Sequence, residues 1–352
     1  MLHSKNIIIF KNDAVGDLSQ SLNAINNIIN NNKNNNITIY LSERSKDFSF
    51  FFNFNNVRIK IVKYDLTIVQ KIKIILFLIT NSIDSIYILT PKNFYFYLPL
   101  FFKKIKFFAL CINSTKGYKR PSKFFRKFLY CYEVNDRETL NKRKSTMELQ
   151  KDLTKDLNYN KKFTLKNLPK FNLQDLKKIE IIDNYIYFHL KISNFKKLGW
   201  GYYELKILFD EFLKFNKNII FTRDIEKNNE DIDFKKDFNV INFSNGEVIL
   251  NKSRIFLYDN LVGSDLYHII NNADKVIAFH GMMTNLATIE NNPVLDLFYC
   301  EINSISDFRR YKNALYEFKP KYNGYDFIVP SKNIQKTIRK MRFSLKKTWI
   351  RE

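Results

Sequence analysis

Asp17 closes a short polar loop, Lys11-Asn12-Asp13-Ala14-Val15-Gly16-Asp17, that begins where the apolar run Asn6-Ile7-Ile8-Ile9-Phe10 ends. An ionised aspartate facing a cleft can act as a general base on a hydroxyl. The same residue at the amino end of a helix suits a cap or a dipole contact, and the local sequence admits both readings. In the second half of the chain, Ala273-Asp274-Lys275-Val276-Ile277-Ala278-Phe279 leads into His280-Gly281-Met282-Met283-Thr284-Asn285-Leu286-Ala287. Gly281 lets backbone approach a ligand, and Thr284 and Asn285 fall in the first turn of a helix, where N–H groups, hydroxyls and amides suit a phosphate. His280 can bind a phosphate or sugar hydroxyl there, or serve as a structural histidine at a strand end. A third polar stretch, His189 to Gly201, offers Ser193 and one of Lys191, Lys196 or Lys197 to a diphosphate, with a plain solvated loop as the competing reading. Phe221-Thr222-Arg223-Asp224-Ile225-Glu226 adds weaker candidates for a base or ribose contact.

Each stretch sits where a strand gives way to polar chain. Continuous apolar runs such as Ile7–Phe10 and Tyr185–Leu190 read as strands buried on both faces, and Leu18, Leu22 and Ile25 recur at helical spacing. Strand and helix patterns alternate from Ile7 to Ile112, through a helix at Leu18 to about Asn30 and others at Phe48–Phe52, Ile68–Ile79 and Asn93–Phe102. A long polar helix is expected over Arg137–Asp156 and a linker over Asn158–Asn172. A second alternation runs from Tyr185 to Phe298, and Ser331–Trp349 reads as a basic helix. The expected architecture is α/β: two Rossmann-like domains with parallel sheets, over 1–165 and 175–330, facing each other across a cleft, with a basic helix in 331–352. Open sheets of this kind place ligands at the carboxyl ends of their strands.

The chain has 352 residues, 45% of them hydrophobic and 16% aromatic, enough for two cores. Its formal charge of +23 invites a nucleic-acid reading. The excess is mostly lysine, dispersed along a chain crowded with Asn, Ile and Phe, which points to compositional bias, and no nucleic-acid partner is expected. Cations concentrate in Phe101–Phe108 and Lys116–Phe128, interleaved with phenylalanine. That mixture suits peripheral contact with an anionic membrane, and equally a buried strand followed by a solvated basic helix. Cys111, Cys131 and Cys300 form no CxxC pair, which argues for reduced thiols. With no signal-peptide pattern and no apolar run of spanning length, the expected location is cytoplasmic, with peripheral attachment to the inner face of the membrane as one reading.

No GxxxxGK[ST] loop, GxSxG elbow, HExxH or paired CxxC occurs. Asp231-Ile232-Asp233, the one D-x-D triplet, lies in an acidic loop with Glu230 and reads as solvated, so no metal and no cofactor are expected. The opening strand with Asp13-Ala14-Val15-Gly16-Asp17 resembles the heptosyltransferase-like glycosyltransferase family, relatives of the ADP-heptose:lipopolysaccharide heptosyltransferases with the GT-B fold. So do the Ala273–Phe279 strand with its helix and Asn292-Pro293-Val294-Leu295-Asp296-Leu297-Phe298. The resemblance covers most of the chain as a pattern. It implies Asp17 as catalytic base, a lysine of the Lys196–Lys197 region on the donor phosphates, and Lys11, Asp13 and Gly16 on the acceptor side. At the second switch the family has Asp-Thr-Gly and then a His in the helix, where this chain has His280, Gly281, Met282 and Asn285. The expected reaction is inverting, metal-independent sugar transfer from a nucleotide-sugar donor to a surface-polysaccharide or lipid-linked acceptor. Polysaccharide pyruvyl transferases, which share an Asn-x-Gly-Asp-like opening loop and a late His, are the alternative, and a basic nucleic-acid-binding protein is the third.

Overall fold

The computed structural model describes residues 4–113, 127–129, 131–136, 145–154, 182–224, 234–261, 263–301, 303–305, 307, 312 and 322–346. The chain divides into two compact units, Met1–Leu168 with Ile302–Lys319 and Pro169–Glu301 with Pro320–Glu352.

In the first unit six strands, β1 (Asn6–Lys11), β2 (Asn36–Ser42), β3 (Val57–Val62), β4 (Ser85–Ile88), β5 (Lys106–Asn113) and β6 (Cys131–Asp136), lie in the order β3-β2-β1-β4-β5-β6. Every pair is parallel. The chain builds outward from β1 to β3, crosses back through the helix Ile68–Thr80, and continues from β4 on the other side of β1. The switch point therefore lies at the carboxyl ends of β1 and β4. Ile7 to Phe10 are all buried, as a strand covered on both faces requires.

The second unit holds β7 (Tyr185–Leu190), β8 (Asn218–Arg223), β9 (Asn239–Asn242), β10 (Val248–Ile249), β11 (Ile255–Asp259), β12 (Lys275–Phe279), β13 (Val294–Leu297) and β14 (Tyr325–Ile328). Their order is β10-β9-β11-β8-β7-β12-β13-β14, and β9 with β10 is the one antiparallel pair among the described strands. Here the order reverses between β7 and β12. The core is rich in phenylalanine: Phe188 meets Phe209 edge to face at 5.7 Å, and Phe209 lies tilted 5.0 Å from Phe221. The basic helix Ile334–Leu345 belongs to this unit. It buries Ile338, Met341 and Leu345 in the core and clamps Glu211 between two guanidinium nitrogens of Arg342, at 2.6 and 2.8 Å.

The two α/β halves match the expected class, and most strands fall where apolar runs placed them. Several elements differ. The helix expected from Leu18 is broken into Val15–Ser19 and Leu22–Asn31, because Ser19 Oγ donates to the Gly16 carbonyl (2.8 Å) and Ser21 Oγ to that of Asp17 (3.1 Å), competing with helical N–H groups. The polar stretch after β7 is a helix, Ile192–Leu198. Its end carries the paired bonds of a left-handed cap: Gly199, at φ 68°, donates to the Lys196 carbonyl and Trp200 N–H to that of Phe195. β6, β10 and β14 lie outside the expected strands: charged residues interrupt the apolar pattern of β6 and β14, and β10 is two residues long. Of the Arg137–Asp156 helix, Thr146–Leu153 is described. The linker, Lys116–Arg126 of the basic segment, and Asp231-Ile232-Asp233 lie outside the described residues.

Candidate functional site

At the switch of the second unit, β12 ends at Phe279, and the next two residues leave the sheet. His280 N–H still donates to the Leu297 carbonyl at 3.2 Å, so its position is fixed by the sheet rather than by a loose loop. Gly281 has φ +154°, a backbone region that side chains rarely adopt, and it starts the helix Met282–Ala287. Thr284 closes that start: its hydroxyl accepts from Gly281 N–H (3.1 Å) and donates to the Gly281 carbonyl (3.0 Å). Thr284 and Asn285 are both buried. Thr284 thus shapes the turn that presents His280.

The imidazole is held from behind. His280 Nδ1 lies 2.6 Å from Asp296 Oδ2, and the Tyr325 hydroxyl donates to the same oxygen, also at 2.6 Å. Asp296 is completely buried, and its other oxygen has no hydrogen-bond partner. A carboxylate only accepts, so Nδ1 carries the proton in that bond. Burial, then the neighbouring Asp296, pushes the Tyr325 pKa far above its ordinary value, which keeps Tyr325 a donor. Phe298 packs its ring 4.7 Å from the imidazole. Asp296 and Tyr325 come from β13 and β14, the next strands across the sheet.

β7 pairs directly with β12, which brings the second polar stretch to the same edge. Lys191, at the amino end of the helix Ile192–Leu198, reaches its Nζ to 3.4 Å from the His280 carbonyl. A side chain added at Gly281 would meet the same ammonium at 3.6 Å. Ser193 lies half-buried in the first turn of that helix. Lys196 and Lys197 lie exposed in its last turn, at the end away from Lys191. Of the three lysines, the structure therefore brings Lys191 to His280 and Gly281. Further along the edge, His189 is buried with Nδ1 2.9 Å from Thr222 Oγ1 and Nε2 3.1 Å from Asp224 Oδ1. Arg223 forks onto Asp259 at 3.0 and 2.7 Å. The Thr222–Asp224 stretch is therefore organised, its side chains committed to partners on β7 and β11.

In the first unit, Asp17 is exposed in the first turn of the helix Val15–Ser19, whose cap position is Ala14. It is not the cap. Gly16 is helical too, inside the same turn. Lys11 is buried and pairs with Asp13 at 2.9 Å, so this ammonium supports the loop from beneath. Asp13 Oδ1 is buried with no hydrogen-bond partner. Asn12, fully buried, accepts from the Tyr95 hydroxyl at 2.7 Å and donates to the Lys63 carbonyl at 3.2 Å, which ties the loop to neighbouring elements. Lys92 donates to the Asn12 carbonyl at 3.3 Å, and burial lowers its pKa, against the opposing pull of Asp65 and Asp13.

Among the described residues, no cluster of three or more His, Cys, Asp or Glu is arranged to hold a metal, and no helix is long and apolar enough to cross a membrane.

These two sheets, each with its switch point, define the chain as a pair of Rossmann-like units. No family model matches the chain, and no curated protein matches it. Among solved structures it is similar to the glycosyl transferase family 9 protein from Veillonella parvula, at TM-score 0.60 and 13% identity over 99% of this chain and 91% of that one. It is similar also to ADP-heptose lps heptosyltransferase II from E. coli, at TM-score 0.60 and 12% identity over 97% and 98%. The UDP-GlcNAc 2-epimerase from Methanocaldococcus jannaschii matches at TM-score 0.57 and 16% identity over 99% and 95%. At such identities the likeness establishes the shared fold.

Proposed function

We propose that the chain is a nucleotide-sugar-dependent glycosyltransferase of the heptosyltransferase-like kind, transferring a sugar to a hydroxyl of a surface-polysaccharide or lipid-linked saccharide. The observation that carries this reading is the contact of Lys191 Nζ with the His280 carbonyl, next to Gly281 and beside an imidazole oriented by Asp296. An ammonium and an imidazole oriented by Asp296 at one strand edge suit the two phosphates of a nucleoside diphosphate. Solved structures with this fold supply a consistent precedent: one is complexed with UDP-L-rhamnose, and another is a heptosyltransferase with ADP-2-deoxy-2-fluoro heptose.

In the proposed reaction Asp17 takes the proton from the acceptor hydroxyl as its oxygen attacks the anomeric carbon. The bond from that carbon to the phosphate oxygen breaks on the opposite face, inverting the centre, and the nucleoside diphosphate departs with the electron pair. Lys191 and His280 stabilise the charge that develops on it, a role a metal fills elsewhere, and no cofactor enters the step. Lys11 and Asp13 hold the Asp17 loop, with the acceptor bound on that side.

The test is a thermal-shift screen over nucleoside diphosphates, nucleotide sugars and phosphoenolpyruvate, followed by release of the diphosphate with candidate acceptors. Protection by one nucleoside diphosphate and its sugar, not by phosphoenolpyruvate, supports the reading. Protection by phosphoenolpyruvate alone would move the chain to pyruvyl transfer. Conversion of a protecting nucleotide sugar to its epimer without an acceptor would move it to the epimerases that share the fold.

A further inference from the structure

The helix Ile68–Thr80 is apolar on two sides. Ile74 and Leu78 face the core, while Ile68, Ile72, Leu76 and Ile79 are 51–74% exposed. At helical spacing those four share an arc of about 80°, with Val69, also exposed, at its edge. Lys71 and Lys73 flank the stripe on either side. The next helix, Asn93–Phe101, packs beside it: Lys71 Nζ lies 5.9 Å over the Phe94 ring, and both helices feed the same core. The connections from β3 to β4 and from β4 to β5 cross the sheet in the same direction, so right-handed crossover puts both helices on one face. That second helix adds exposed Tyr97 and Phe101, the latter 77% accessible, and its end runs into exposed Lys103, Lys104 and Lys106.

An apolar stripe this continuous on a soluble face marks a contact surface. Its charge chooses the occupant. From Leu66 to Lys106 there are six lysines and one acid, Asp84. A symmetric contact between two copies would set Lys71, Lys73, Lys103 and Lys104 of each copy against those of the other, and like charges oppose association. An anionic lipid surface accepts both features, taking the isoleucines below the headgroups and the lysines among them.

We propose that this two-helix face of the first unit docks on an anionic membrane surface, with Ile68, Ile72, Leu76 and Ile79 as the inserting stripe. The site lies on helices, and it is independent of the donor chemistry proposed above.

The experiment is flotation of the full chain with vesicles of phosphatidylcholine alone and of phosphatidylcholine with about one third phosphatidylglycerol. The wild type is expected to float with the anionic vesicles and to be released progressively by salt. Ile72→Asp with Leu76→Asp should lose about tenfold or more of that binding. Both side chains are exposed, so the melting temperature and its shift by nucleoside diphosphate should stay put. Lys73→Glu, Lys103→Glu and Lys104→Glu together, which leave the stripe intact, should abolish the preference for anionic vesicles. A wild type that stays behind with both vesicle types, or an Ile72/Leu76 variant that floats as well as the wild type, would overturn the proposal. So would a wild-type dimer that the same variant turns into a monomer without any vesicle binding, which would assign the face to a second copy.

Discussion

Asp296→Asn is the substitution that separates orientation of the imidazole from folding. Asp296 is fully buried and accepts two bonds at one oxygen, from His280 Nδ1 and the Tyr325 hydroxyl, each at 2.6 Å. Asparagine keeps the volume but replaces a charged acceptor by a neutral amide, so the His280 Nδ1–H bond to a carboxylate becomes a weaker bond to a neutral oxygen. A hydrogen bond to a charged group is worth about 1.5–3 kcal/mol, which is about 10- to 150-fold in affinity at 1.4 kcal/mol per decade. The amide NH2 would fall where Oδ1 has no partner, a buried unsatisfied donor that costs about 1–3 kcal/mol, or about 2–12 °C for a domain of this size. Calorimetric titration with the nucleoside diphosphate that protects the wild type measures the first quantity, and thermal melting without ligand the second. Affinity within twofold of wild type would refute the orienting role of Asp296. A collapse of melting temperature in step with affinity would make Asp296 a structural residue only.

The other expectations are narrower. Asp17→Asn should lower turnover by about 10²- to 10⁴-fold with donor affinity unchanged, as rapid-quench assays of diphosphate release would show; full activity would remove the base assignment. Lys191→Ala should weaken donor binding about tenfold or more, while Lys196→Ala and Lys197→Ala, in the exposed last turn, should change it less than about twofold. The Glu211–Arg342 pair sets an acid dependence. The Arg342 hydrogen bond, supported by Lys214, lowers the Glu211 pKa from 4.5 to about 2. Between those values the unfolded glutamate takes up a proton that the folded one does not, so acidification through that window favours unfolding. Arg342→Ala should lower the melting temperature at pH 7, and its melting curve should converge on the wild type as the pH falls from about 4.5 toward 2.

Continuous apolar runs made β1, β7 and β12 legible in the sequence, and with them the three polar stretches at strand ends. What stayed hidden was adjacency. Lys191 and His280 are 89 positions apart, and only the pairing of β7 with β12 brings them together. Periodicity within either segment carries no trace of that pairing, and nothing in the sequence ranks Lys191 above the exposed Lys196 and Lys197. The helix Ile192–Leu198 did leave a signal: Gly199 followed by Trp200, whose ring packs 5.3 Å from Phe195, is the signature of a left-handed helix stop. Asp296 left one as well, since an acid inside Val294-Leu295-Asp296-Leu297 must be buried and therefore must have a partner. Tyr325 left none, because β14 is four residues long and carries Asp326 within it. The break after Ser19 depends on hydroxyls turning back to carbonyls three and four residues earlier, which spacing alone does not reveal.

The most direct test of the central claim is a crystal structure of the chain with the protecting nucleoside diphosphate bound. The account predicts phosphate oxygens within hydrogen-bonding distance of Lys191 Nζ and His280 Nε2, with the His280–Asp296 contact intact. A diphosphate seated elsewhere, with neither group touching it, would contradict the account.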